Sequence, residues 1–129
     1  MAYLINKNDK IFIAGHNGMA GNAILRAFKK KGYKNIICSN RSHLDLEEIN
    51  QVDNFMRKET PNVVILAAAK VGGIMANYKF PADFILRNLK IQTNVIESSW
   101  KNNVKRFLFL GSSCIYPKLS EQPIKEEYL

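Results

Sequence analysis

The sequence predicts an α/β fold, a doubly wound parallel sheet with strand order 3-2-1-4. Three observations predict it. Four short apolar runs recur along the 129 residues, none of them alternating with polar residues. Stretches with apolar side chains at three- and four-residue spacing lie between the runs, and Gly or Pro punctuates most of the joins. Continuous apolar strands separated by amphipathic helices imply a parallel sheet covered on both faces. Right-handed crossovers then wind it in both directions.

The first strand is Lys10 to Ala14 (KIFIA), ending at Gly15. Gly18 to Lys31 follows as a helix, with Met19, Ala23, Ile24, Ala27 and Phe28 on its inward face and Gly32 as the closing cap. Asn35 to Ser39 (NIICS) is the second strand. Asp45 and Glu48 form a capping-box pattern ahead of a helix carrying Leu46, Ile49, Val52, Phe55 and Met56. After Pro61, Asn62 to Ala67 (NVVILA) is the third strand, and Lys70 to Phe80 reads as a glycine-containing loop. Pro81 suits the first turn of a helix whose Phe84, Ile85, Leu89, Val95, Ile96 and Trp100 share a face. Lys105 to Gly111 (KRFLFLG) is the fourth strand, and Ser112 to Leu129 is a polar tail without a further element.

Composition narrows the class. The chain is 47% hydrophobic and 23% charged, values of a globular domain rather than a disordered one. Cys38 and Cys114 are too few for a disulfide framework. No apolar run reaches the roughly 18 residues of a membrane span, and the N-terminus lacks a signal-peptide pattern. These features predict a cytoplasmic protein with free thiols and no membrane partner. The formal charge of +8 comes from scattered lysines without interleaved aromatic residues. It suits a phosphate-bearing ligand better than nucleic acid.

The segment Gly15-His16-Asn17-Gly18-Met19-Ala20-Gly21 joins the first strand to the first helix. That context is the one a dinucleotide fingerprint needs: Gly15 for the tight turn, Gly18 for close approach of a pyrophosphate, Gly21 for helix–sheet packing. The spacing is G-x-x-G-x-x-G, and three glycines serving turn geometry alone would look the same. At the end of the second strand, an NAD site wants an acid for the ribose hydroxyls. This chain has Ser39-Asn40-Arg41 there, and a guanidinium suits a 2′-phosphate, so NADP(H) is predicted. Arg41 read as an ordinary surface arginine is the alternative. Asp45 is placed either against the adenine or in helix capping.

Ala67-Ala68-Ala69 follows the third strand, where small side chains let backbone lie against a ligand or simply pack tightly. Gly111-Ser112-Ser113-Cys114 follows the fourth strand at the same edge. Ser112 can donate to a substrate oxygen. Cys114 is a candidate acid or base, though a thiol in isolation more often serves as a small inert residue. His16 and His43 lie apart without a cysteine partner, which predicts no metal site.

Gly15 to Gly21 (GHNGMAG), Ala67 to Gly73 (AAAKVGG), Pro81 to Phe84 (PADF) and Gly111 to Lys118 (GSSCIYPK) together resemble the GDP-L-fucose synthase family of extended short-chain dehydrogenase/reductases. The resemblance spans essentially the whole chain. It implies a Rossmann-like domain, and a GDP-4-keto-6-deoxy-D-mannose substrate epimerised at two carbons and then reduced by NADPH to GDP-L-fucose. It implies that Ser112 polarises the sugar ketone and that Cys114 is the epimerisation base. It places Gly15 to Gly21 on the pyrophosphate, Arg41 to Leu46 (Asp45 among them) at the adenosine, and Leu110, Gly111, Ser112 and Ser113 beside the nicotinamide.

The chain departs from the family in two ways. Asn17 stands where the family often has arginine facing the 2′-phosphate, which leaves Arg41 with less help. Among Tyr3, Tyr33, Tyr78, Tyr116 and Tyr128, Tyr3 alone has lysine four positions later, Lys7, and it stands ahead of the first strand; the catalytic Tyr-x-x-x-Lys expected after GSSCIYPK is missing. The expectation is an N-terminal NADP-binding domain spanning 1–129, truncated and without a substrate domain. Its expected partners are a GDP-sugar and either a C-terminal fragment or a second copy. The alternatives are an inactive nucleotide-binding fragment and another nucleotide-sugar epimerase or dehydratase. Phe107 to Leu110 would then form an apolar open edge prone to association.

Overall fold

The computed structural model describes residues 5–129, the side chain of Ser113 excepted; Tyr3 lies outside the described residues. Four strands, β1 (Ile11–Ala14), β2 (Ile36–Ile37), β3 (Val63–Leu66) and β4 (Arg106–Phe109), form one parallel sheet. Its helices are α1 (Met19–Lys30), α2 (Ile49–Glu59), α3 (Ile74–Lys79) and α4 (Pro81–Lys101). The α/β doubly wound class is as predicted.

The strand order is not. The sheet runs β2-β1-β3-β4, so β3 lies on the far side of β1 from β2. The cause is burial. All four residues of β1 and of β3 are buried, whereas the two residues of β2 are half-buried. A strand sealed on both faces belongs at the sheet centre, paired on both sides, and the expected order 3-2-1-4 would have left β3 at an edge. Ile11 to Ala14 pair in register with Val63 to Leu66.

The strand period of two divides the core. Ile11, Ile13, Val63 and Ile65 face α1, against Ile24, Leu25 and Phe28. Phe12, Ala14, Val64 and Leu66 face the other way, against Val52 and Met56 of α2 and Ile91 and Val95 of α4. Chain reversal at β1 therefore puts α1 on one face and α2 and α4 on the other. The crevice between the carboxyl ends of β1 and β3 is the topological switch point.

Several local expectations are corrected. The Lys70–Phe80 loop contains α3, which the pattern could not reveal because the helix has no buried residue. Its first turn is held by Asn77 Nδ2, which donates to the carbonyls of Gly72 and Gly73. Asp45 does not cap α2. Glu48 is the N-cap, without a side-chain bond, and Asp45 instead makes an Asx turn by accepting from the Glu47 N–H at 3.0 Å. Met19 is exposed rather than inward. On α4, Phe84, Ile91 and Val95 are the buried stripe, while Ile85, Leu89, Ile96 and Trp100 form a second, exposed one. The tail holds two 3₁₀ turns, at Ser113–Ile115 and Glu126–Tyr128. Gly32 does close α1: its N–H donates to Lys29, and the N–H of Tyr33 to Phe28.

β4 hydrogen-bonds to β3 on one side, and all four of its residues are exposed. A second, largely apolar groove runs along it, between Ile24 and Phe28 of α1 and Phe107 and Leu108. No helix among the described residues is long and apolar enough to cross a membrane.

Candidate functional site

A cavity of about 420 Å³ opens at the switch point. Its floor is Ala14, Gly15 and the Ala67-Ala68-Ala69 segment, and its wall is the turn from His16 to Gly18. Gly15 sits at φ +90°, and a Cβ there would lie 2.6 Å from the Ala68 backbone nitrogen. A Cβ on Gly21 would overlap the Gly15 carbonyl oxygen. The turn is therefore drawn tight against both the sheet and the helix, which side chains at these positions would prevent.

The start of α1 faces this turn. Gly18 is its N-cap with no side-chain bond, and no acid stands in its first turn. The first N–H groups of a helix lack intrahelical partners and carry the positive end of the dipole. An anion is the natural complement to this end. In the same turn, His16 Nδ1 is buried without a hydrogen-bond partner among the described residues. The Asn17 side chain donates to Asn40 Oδ1 at 2.9 Å, tying the turn to the end of β2.

α4 holds the remaining walls with three polar side chains. Asn88 clamps Lys70 at both backbone groups, accepting from its N–H at 2.7 Å and donating to its carbonyl at 2.9 Å. Asn94 donates to the Leu46 carbonyl at 3.0 Å. Arg87 donates twice to Glu47 Oε1, from Nε at 2.9 Å and Nη2 at 2.7 Å. Arg41 reaches the same oxygen at 2.8 Å and Asp45 Oδ2 at 3.2 Å. The Glu47 N–H, opposed by some burial and helped by the Arg41 guanidinium, holds the Asp45 carboxyl below the usual carboxylate range. The hydrogen bond to Glu47 holds the Arg87 guanidinium more firmly charged.

Of the sequence-derived candidates, Gly15, His16, Asn17, Gly18, Arg41, Asp45, Leu46, Ala67 and Ala68 line this one cavity. Met19, Ala20 and Gly21 form the first turn of α1 beside it. Leu110, Gly111, Ser112 and Cys114 follow β4 at the same end of the sheet but outside the lining. The Ser113 side chain lies outside the described residues. Ser112 Oγ accepts from the Cys114 N–H at 3.1 Å, and both residues are exposed. Sequence reasoning missed Glu47 and Arg87. The available signal was the position of Arg87, a charge on the sheet-facing stripe between Phe84 and Ile91.

Residues 11–129 match the model of the NAD dependent epimerase/dehydratase family. The chain belongs to that family. Within it, the chain is 53% identical over 124 residues to GDP-L-fucose synthase 1 of Arabidopsis thaliana, covering 96% of this chain and 38% of that protein. It is 48% identical over 121 residues to GDP-L-fucose synthase of Escherichia coli K12, again covering 38% of the relative. Among solved structures, the epimerase fold is matched by MlghC, a GDP-mannoheptose C4 reductase from Campylobacter jejuni with NADP bound. The match has TM-score 0.92 and 44% identity over 97% of this chain and 40% of that one. The chain thus spans about two-fifths of the length of these relatives.

Proposed function

We propose that the chain is the cofactor-binding N-terminal part of an NADPH-dependent GDP-L-fucose synthase. The observation that carries this reading is the uncapped, acid-free start of α1, packed onto Gly15 at the mouth of the switch-point cavity. The N–H groups of Met19, Ala20 and Gly21 would hold the diphosphate of NADP(H), with Gly18 open beside them. Arg41 would face the 2′-phosphate, and Asp45 and Leu46 would border the adenine. Ala67 and Ala68 would admit the ribose next to the sheet, and Leu110, Gly111, Ser112 and Ser113 would border the nicotinamide. NADPH, when bound, supplies the hydride that reduces a sugar ketone.

The residues after β4 would do the acid–base work on a GDP-4-keto-6-deoxy sugar. Ser112 would donate a hydrogen bond to the ketone oxygen, which acidifies the C–H bonds on either side. Cys114, as thiolate, would take up one such proton, and return of a proton from the opposite face would invert the carbon. The names of the relatives and the GSSCIYPK segment support this assignment.

The one tyrosine with lysine four positions later, Tyr3 with Lys7, stands ahead of β1, and none follows β4. The exposed β4 is where a C-terminal partner or a second copy would lie. Titration by fluorescence quenching tests the reading: saturable NADPH binding, tighter than NADH, is expected. Failure to bind either nucleotide would reject it.

A further inference from the structure

Glu47 Oε1 accepts three N–H groups from two arginines, Arg41 of the segment after β2 and Arg87 of α4. The Glu47 side chain is only 15% exposed, so its charge depends on those partners rather than on water. Arg41 is the more exposed partner, at 63%, against 22% for Arg87.

When Arg41 turns toward a 2′-phosphate, Glu47 loses one of its two cations. Were Arg41 the sole partner, a poorly hydrated carboxylate would remain facing a phosphate of the same sign. Arg87 prevents this, because its two hydrogen bonds stay in place. A hydroxyl, as in NADH, carries no charge and draws Arg41 away from neither Asp45 nor Glu47. We propose that Arg87 is a specificity-determining positioning residue that keeps Glu47 neutralised, frees Arg41 for the 2′-phosphate, and so sets the preference for NADPH over NADH. This rests on the reading of the cavity as an NADP(H) site.

The test is a double-mutant cycle on the 129-residue chain, with NADPH and NADH titrated against wild type, Arg87→Gln, Glu47→Gln and the double variant, each first checked for a cooperative thermal melt. Arg87→Gln should weaken NADPH about tenfold, the scale of one like-charge interaction in a half-exposed site, and change NADH less than twofold. Glu47→Gln added to Arg87→Gln should restore NADPH affinity to near wild type, because the carboxylate that Arg87 neutralises is gone and Asp45 is the same in both proteins. Arg87→Lys, which keeps the charge, should retain most of the preference. Equal loss for both nucleotides would mean a structural role and overturn the proposal. Failure of Glu47→Gln to rescue would mean direct phosphate contact by Arg87 and would also overturn it. Wild type binding neither nucleotide would bring down the cavity reading itself, and the proposal with it.

Discussion

Gly15 and Ala68 approach so closely that a Cβ on Gly15 would sit 2.6 Å from the Ala68 backbone nitrogen. Gly15→Ala adds that clash to a φ of +90°. The variant should lose about 2–4 kcal/mol of stability, since overpacking and backbone strain each cost about 1–3 kcal/mol. Urea titration checks this. Surviving folded protein should also bind NADPH more weakly.

Arg41→Ala should weaken NADPH about 10- to 100-fold and leave NADH nearly unchanged, because one hydrogen bond to a charged group contributes about 1.5–3 kcal/mol. Asn17 gives no compensating charge. Adenosine 2′,5′-bisphosphate should compete with NADPH on wild type and lose that ability on the variant. Preserved NADPH preference in Arg41→Ala would assign the phosphate to another group.

Asp45 predicts an acid-dependent contribution. Its folded-state value is lowered, chiefly by the Glu47 N–H and then by Arg41. A lowered carboxylate stabilises the fold fully above its unfolded value of about 3.9 and loses that stabilisation as the pH falls through the folded one. Asp45→Asn keeps the hydrogen-bond acceptor and removes the charge. It should therefore be less stable than wild type at pH 7, and the difference should vanish in acid below both values. A gap that stays constant with pH would exclude the ionic contribution.

The exposed apolar edge of β4 predicts association. Its four residues are exposed, with Leu108 half open to solvent beside the groove along α1. Sedimentation velocity at tens of micromolar should show species larger than the monomer, and Leu108→Lys should shift the distribution toward monomer. A wild-type chain sedimenting as a clean monomer would contradict this.

Much of this arrangement is legible in the sequence for identifiable reasons. Ile11–Ala14 and Val63–Leu66 announce themselves as unbroken apolar runs because both of their faces are covered. The stripe of Val52 and Met56 is plain because α2 buries only one side. Helix α3 leaves no such trace, since Ile74, Met75 and Tyr78 are all exposed. Strand order is not legible this way, because periodicity reports burial but not which neighbour supplies it. In the site, the glycine turn and Arg41 were visible through local spacing. Glu47 and Arg87 were not, because their pairing spans 40 positions and exists only once α4 is packed across the sheet.

Turnover by the 129 residues alone should be absent. Each general acid or base contributes about 10²–10⁴-fold, and no tyrosine after β4 has lysine four positions later in these 129 residues. Chromatography of a GDP-4-keto-6-deoxy-D-mannose and NADPH incubation should show no GDP-L-fucose. Its formation would require acid–base groups other than those named here.

Hydrogen–deuterium exchange across residues 15–22, with and without NADPH, probes the anion cradle most directly. The N–H groups of Met19, Ala20 and Gly21 lack helical acceptors and should exchange quickly in the free chain. Saturating NADPH should slow exchange in this segment, with a smaller change along α2. Unaltered exchange at 15–22 under saturating nucleotide would contradict the placement of the diphosphate at this turn.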